Sequence, residues 1–579
     1  MRFQVEVTPP PRATYHNPDV LLNTNQPTAS SLINSRIPPE LLSAIFALLV
    51  KECALSSVHK VAAGAPSLIH NWLSCTHVCR RWRLVALECS SMWSYVFIGL
   101  PRTSLASVQT MLTRSREAPL TVSVGEVCSK DEVQSLEMIM GQLERIQELR
   151  FFGSVPGMAD LVRLHRPRFA RFATRRAPLV RVLVLKGRSI WPSFGDEATA
   201  RTENGFSDDI VGPHLRWLAC SSFSFHDAAR LMRPSLTHLI LHSWTDSVTV
   251  PMLLRVLTRT PQLRHLELAR RWNDFAEDGR QPLFVSGPSV DLPLLCDVVV
   301  LNHFIGKPWL AFLKLLSFPA TTRISYRSST ERENGETLVF FREMLSQRVD
   351  FACHKPEFSW PFSTLSCVTR KPEYGLHLHT FFELWMEDAR DPRTFFSPTP
   401  DAIDMSGPRR PYLQLDFYHT PQETLPEAFS ISITGVRTVF LNMPYDEPQE
   451  WHKAFGHLQY VDTLCFTESR SLLHALETQP DGETCKTLFP NLKRIVMGSR
   501  SGALWSQLYS TLMSRATMGS HFEQLVLVHD GNRACIPPAE LLHSLRQIVR
   551  LVQVTVVPTR TVLRAGSRDL FQIMNSLSS

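Results

Sequence analysis

The sequence predicts an α/β protein: a small all-α N-terminal helical module followed by an irregular α/β solenoid. Three observations lead there. A chain of 579 residues is too long for one compact core. Between residues 37 and 93 apolar side chains recur at helical spacing, whereas after residue 120 one strand pattern, P-x-L-x-x-L-x-L, returns in many copies. Segments of helical periodicity separate many copies, and a strand, a turn and a helix every roughly 20–35 residues mark a repeat array.

Hydrophobic content of 44% with mean hydropathy near zero (-0.07) is enough to bury a core and argues against a wholly disordered chain. The net charge of +7 rests on Arg more than Lys and is spread along the length, so it allows acidic partners without requiring nucleic acid. The 12 Cys are scattered, with several inside apolar runs (Cys220, Cys296, Cys465), as expected for a reducing compartment. The N-terminus has no apolar signal core, and the longest apolar stretch, Leu41 to Val50, is too short to span a bilayer. The expectation is a cytoplasmic or nuclear protein without membrane contact.

Residues 1–34, rich in Pro, Asn, Thr and Ser, are expected to form a flexible tail. The helical module spans 35–100. Pro38 and Pro39 fix φ at a helix start and Glu40 suits its first turn. Leu41, Leu42, Ile45, Phe46, Leu48 and Leu49 follow at helical spacing. A second helix is expected from about Ser67 through Cys75. A third carries Val78, Trp82, Val85 and Ala86, with Arg80, Arg81 and Arg83 on its other face, and Trp93 closes the unit as an apolar plug.

These residues carry a resemblance. Ile37-Pro38, Glu40-Leu41-Leu42, Val78-Cys79-Arg80-Arg81-Trp82-Arg83 and Trp93 resemble the F-box. His77 to Arg83, Trp93-Ser94 and the segment Leu112 to Leu120 are similar to the F-box proteins abundant in mushroom-forming (agaricomycete) fungi. The likeness covers residues 37–124. Lys51 to Asn71 departs from it by being longer than the compact F-box has there. The resemblance implies a partner, the Skp adaptor of cullin–RING (SCF-type) ubiquitin ligases. It places Pro38, Leu41, Leu42, Ile45 and Phe46 on the docking face, with Val78 and Trp82 shared between contact and core.

The array is expected in three parts: 101–330, a loop-rich irregular section 331–410, and 411–579. Its closest copies are Pro178 to Leu185, Pro213 to Cys220, Pro234 to Leu241 and Pro261 to Leu268. Looser ones lie at Pro293 to Val300, Pro319 to Tyr326, Thr434 to Leu441 and Pro490 to Met497, and others at Ile146 to Phe151, Val461 to Phe466, Phe522 to Leu527 and Leu551 to Val556. Val250 to Arg259, Pro308 to Ser317 and Leu504 to Ser514 read as helices, and Leu376 to Phe382 and Leu413 to Phe417 as further strands. The whole resembles a degenerate leucine-rich-repeat array of about a dozen units.

If the last two Leu positions of each copy face the helices, the residue before each faces out. The first outward row then reads Glu148, Val182, Trp217, His238, His265, Asp297, Arg323, and the second Arg150, Val184, Ala219, Ile240, Glu267, Val299, Ser325. Trp217, His238 and His265 become neighbours on an open surface beside Ile240 and Glu267, a candidate anchor for an unknown target protein.

Other chemistry has weaker support. Cys75, His77 and Cys79 do not share one face. His377 and His379 lack a third metal ligand beyond a loose Glu383, and Cys353-His354 lack an orienting acid. The Arg-rich segment Arg163 to Arg176, with Phe169 and Phe172, reads better as a solvated helix than as a nucleic-acid surface. No phosphate-binding Gly loop, G-x-S-x-G or H-E-x-x-H motif occurs. No cofactor or metal and no enzymatic activity are expected. The function expected is that of a substrate adaptor, and the alternative a non-catalytic repeat scaffold without a ubiquitin role.

Overall fold

The structure is a computed structural model. It describes residues 37–62, 71–99, 104–125, 129–152, 178–186, 212–221, 225–244, 248–270, 289–302, 307–319, 321–328, 339–341, 343–344, 364–370, 379–385, 413–418, 435–443, 445–467, 469–477, 487–499, 503–529 and 536–556.

The chain opens with helix α1 (Pro39–Ala62), a 3-10 turn (Asn71–His77), α2 (Arg80–Glu88) and a second 3-10 turn (Ser90–Trp93). The segment after Lys51, longer than expected for the module, begins as a continuation of α1 through Ala62. The second helix expected from about Ser67 is, where described, the 3-10 turn Asn71–His77. Leu42, Phe46 and Val50 project from one side of α1 into a core with Trp72, Cys75, Ala86, Met92 and Trp93. Trp72 and Trp93 meet edge to face at 5.3 Å, and Trp93 Nε1 donates to the Ala86 carbonyl at 2.8 Å. Each fully buried large apolar side chain here contributes about 1.5–3 kcal/mol.

Strands and helices then alternate. The first run is β1 (Tyr95–Ile98), α3 (Leu105–Ser115), β2 (Leu120–Val124), α4 (Lys130–Met140), β3 (Ile146–Phe152), β4 (Val182–Lys186), β5 (Trp217–Ser221), α5 (Phe225–Leu231), β6 (His238–His242), α6 (Val250–Leu257) and β7 (His265–Arg270). It continues through β8 (Val290–Asp291), β9 (Asp297–Asn302), α7 (Lys307–Lys314), β10 (Leu316–Ser317) and β11 (Arg323–Ser328). After β12 (Thr364–Arg370), β13 (His379–Trp385) and β14 (Leu413–Tyr418) come β15 (Thr438–Asn442), α8 (Pro448–Phe455), β16 (Thr463–Thr467), α9 (Arg470–Leu476), β17 (Arg494–Ser499), α10 (Trp505–Thr517), β18 (Phe522–His529), α11 (Ala539–Ile548) and β19 (Val549–Val556). Polar residues start several helices: Ser129 and Glu132 cap α4 reciprocally, and Thr249 caps α6 ahead of Pro251.

Seventeen strands form one sheet, with β8 and β10 pairing separately. From β1 to β7 and on through β9 to β11, each strand lies parallel to the last. From β15 to β19 the same holds. The protein is thus mixed α/β with a large, mostly parallel sheet. The helix-side positions of the repeat, such as Leu183, Leu218, Leu239, Leu266 and Val298, are all buried.

The middle departs from the expected run of parallel strands. Here β13 is antiparallel to both β12 and β14, and the sheet order is β11-β14-β13-β12-β15. Residues 371–378 between β12 and β13 are enough for a hairpin but too few for a parallel crossover. Strand β12 was not expected, because Thr364 to Arg370 lacks the Pro-x-Leu opening. The strands expected at Leu376 and Leu413 are present as β13, which starts at His379, and as β14.

Two arginines tie turns between units. Arg145 donates to Ser115 Oγ (3.0 Å) and the Ala118 carbonyl (2.8 Å), beside Arg116 at φ 49°. Arg515, fully buried, donates to the Leu488 and Phe489 carbonyls, both at 2.7 Å, where Phe489 has φ 53°. Burial lowers the Arg515 pKa to about 10, which leaves it charged at neutral pH.

Candidate functional site

Two surfaces matter, one on the helical module and one on the open face of the sheet. The seven residues expected at the adaptor separate by face. Leu42 and Phe46 are each 1% exposed and belong to the module's own core, a correction to their expected docking role. The reason is periodicity: they share a face with Val50, which closes on Trp72 and Trp93. Leu41 (59%) and Ile45 (48%) look outward with Leu48 and Leu49, forming a stripe at i, i+4, i+7 and i+8. Pro38 is exposed at the helix start, and Val78 is exposed ahead of α2. Trp82 is half-buried, its ring edge-on to Phe46 at 5.3 Å.

The N-cap of α2 is Cys79, whose Sγ accepts from the Trp82 amide at 3.4 Å. Arg83 donates to the Thr76 carbonyl at 2.9 Å and Arg81 to that of Ile37, which ties α2 to the turn before it and to the start of α1. Cys75 is buried, with its thiol pushed up to about 11 mainly by burial, and His77 is exposed. The three do not converge.

On the sheet, the register places the two outward rows as the sequence predicts. Glu148, Val182, Trp217, His238, His265, Asp297 and Arg323 are successive cross-strand partners, as are Arg150, Val184, Ala219, Ile240, Glu267, Val299 and Ser325. The Trp217 and His238 rings stack at 4.4 Å and 12°. Both are half-buried, as is Ile240. The His265 ring lies 5.9 Å from that of His238.

His265 and Glu267 differ from the expectation of an open surface: each is 1% exposed. Their neighbours on adjacent strands close in by charge. Glu267 Oε1 is 2.8 Å from His242 Nε2. Its Oε2 is 3.5 Å from His265 Nε2, within ion-pair distance but outside hydrogen-bond alignment. His265 Nδ1 lies 4.0 Å from Asp297, which in turn takes Arg323 Nε at 2.8 Å.

The electrostatics follow. Burial opposes ionisation of Glu267, but His242 and His265 outweigh it and hold the carboxyl down at about 2. Burial likewise opposes the His265 imidazolium, and the Asp297 and Glu267 carboxylates outweigh it, raising its pKa. His238 is lowered to about 4, by burial first and then by its neighbour His265, and so stacks on Trp217 as a neutral ring. At the other end of the row Arg150 pairs with Glu148 at 2.6 Å. The face therefore presents a neutral aromatic plate between internally matched charges.

Among the described residues no group of three or more His, Cys, Asp or Glu is placed to hold a metal ion, and no helix is long and apolar enough to cross a membrane. Cys353, His354, His377 and the Arg163 to Arg176 segment lie outside the described residues, as do the side chains of His379 and Glu383. The sequence matches no protein-family model, and the comparison with curated proteins finds no significant relative.

Proposed function

We propose that the chain is a substrate-recognition adaptor of a cullin–RING (SCF-type) ubiquitin ligase. Its N-terminal module docks onto the Skp adaptor, and its sheet face holds a target protein. The observation that supports this most is the apolar stripe of Leu41, Ile45, Leu48 and Leu49. These side chains stay outside although the opposite face of the same helix is filled. Contiguous exposed apolar surface on a small helical unit marks an interface, and the residues around it are those that resemble an F-box.

In this reading catalysis is borrowed: holding the target raises the effective concentration of its Lys side chains near a ubiquitin-conjugating enzyme. No residue of this chain carries out a chemical step. The test is co-purification of the complete chain with a fungal Skp adaptor. Wild type is expected to retain the adaptor and Leu41→Asp/Ile45→Asp to lose it while still folding. Equal retention by both, or by neither, counts against the reading.

One observation favours the alternative, a scaffold without a ubiquitin role. The module also packs against the first edge of the sheet: α1 and the Ser90–Trp93 turn contact β1, and the Arg114 guanidinium of α3 sits 4.4 Å over Trp93. A repeat array needs such a cap. A cap alone, however, gives no reason for an apolar outer face on α1.

A further inference from the structure

The residue just before the first outward position of each strand forms another row: Gln147, Arg181, Arg216, Thr237, Arg264 and Cys296. In the Pro-opened copies it is the fourth residue, as in Pro178-Leu-Val-Arg181, Pro213-His-Leu-Arg216 and Pro261-Gln-Leu-Arg264. The backbone holds it rigidly. The Arg181 carbonyl accepts the amides of Arg216 and Trp217, both at 2.9 Å, and the Arg216 carbonyl those of Thr237 (2.8 Å) and His238 (2.9 Å). The Thr237 carbonyl takes Arg264 (2.7 Å) and His265 (3.0 Å) in the same way.

Arg181, Arg216 and Arg264 are exposed, and among the described residues none has a carboxylate within ion-pair distance. The open face differs. On the open face Arg150 and Arg323 are each locked by a carboxylate. The equivalent row in the second half reads Arg437, Asp462, Lys493, Glu523, alternating in sign, with Lys493 Nζ 3.4 Å from Glu523. Unmatched positive charge is thus gathered on one short row. Like charges facing each other on adjacent strands destabilise a sheet, and an anion bridging Arg181 and Arg216 would relieve that repulsion.

We propose that the Arg181–Arg216–Arg264 row docks an acidic, extended protein segment, with an apolar side chain of that segment resting on the Trp217–His238 plate. The row spans three strand steps of about 4.8 Å each, within reach of carboxylates on one side of an extended segment. Guanidinium forks match carboxylates bidentately. Beside the row lies a single stacked pair of rings, room for one side chain rather than the run of bases that a single strand of nucleic acid stacks. The proposal rests on the adaptor reading only in giving its target a chemistry.

The test uses the complete chain and a fluorescein-labelled peptide of alternating Glu and Ser with one central Leu, followed by fluorescence anisotropy at low salt. Wild type is expected to bind it. Arg181→Gln/Arg216→Gln/Arg264→Gln is expected to weaken binding by at least about tenfold with an unchanged melting temperature, since surface charges of this kind move stability little. The triple Lys variant is expected to keep most of the affinity, and Arg437→Gln/Lys493→Gln to bind like wild type. No binding by wild type, equal binding by the triple Gln variant, or tighter binding of a labelled oligo-dT than of the peptide overturns the proposal. The Skp adaptor takes no part, so failure here leaves docking of the N-terminal module intact, and failure of that docking leaves this result standing.

Discussion

Glu267 offers the sharpest quantitative test of the sheet face. Glu267→Gln keeps the shape and removes the charge that pairs His242 and His265. The carboxyl is depressed from its ordinary 4.5 to about 2, a difference worth about 3 kcal/mol of stability at neutral pH. For a depressed acid that contribution is complete above about pH 4.5 and is lost as pH falls towards 2. His265 has the opposite sign. Its raised pKa contributes stability that is complete below 6.5 and lost as pH rises through the folded value. The substitution also removes one of the two carboxylates that raise the His265 pKa, so that pKa should fall. Hydrogen exchange read on β6 and β7, together with urea unfolding at pH 7, measures the loss. A variant within about 0.5 kcal/mol of wild type at pH 7, the range of an ordinary surface substitution, would refute the charge cluster as described.

Three further outcomes are expected. Leu42→Ala should cost about 2–5 kcal/mol of unfolding free energy as a cavity in the module core, while Leu41→Ala on the outer face should cost less than about 0.5 kcal/mol; both are read by urea unfolding. Arg515→Met should destabilise by about 2–5 kcal/mol, because two buried carbonyls, those of Leu488 and Phe489, lose their donors; exchange protection of β17 and β18 reports it. Trp217→Ala should leave the circular dichroism spectrum unchanged and abolish capture of the target protein from a lysate. Undiminished capture would remove Trp217 from the recognition surface.

Much of the sheet was legible because its information is local. A Pro-opened Leu pattern repeated from Pro178 to Leu268 sets both the strands and their alternation, so the cross-strand rows through Trp217 and His265 follow from counting by two. What counting does not reveal is environment. Leu41 and Leu42 are equally apolar, and which of them faces the core depends on where Trp72 and Trp93 fold back onto α1. The repeat pattern puts His265 and Glu267 in the right rows without revealing that they are buried. Their charged neighbours, His242 and Asp297, meet them only once the strands are side by side. The antiparallel β12–β13 hairpin escaped for a different reason: residues 328–410 carry no copy of the repeat, and strand direction there is set by the shortness of one connection. The Arg181, Arg216 and Arg264 row did have a signal, an Arg at the fourth place of three Pro-opened copies. It carries meaning only once the strands are side by side and no carboxylate among the described residues is set against it.

The proposed adaptor docking rests on the apolar side chains that α1 keeps outside. Hydroxyl-radical footprinting of the complete chain, with and without a fungal Skp adaptor, tests it on the side chains themselves. Leu41, Ile45 and Leu48 are expected to lose most of their labelling when the adaptor is added, with Tyr460 and Met518, both exposed, labelled as before. Labelling of the three that is the same in both samples would contradict it.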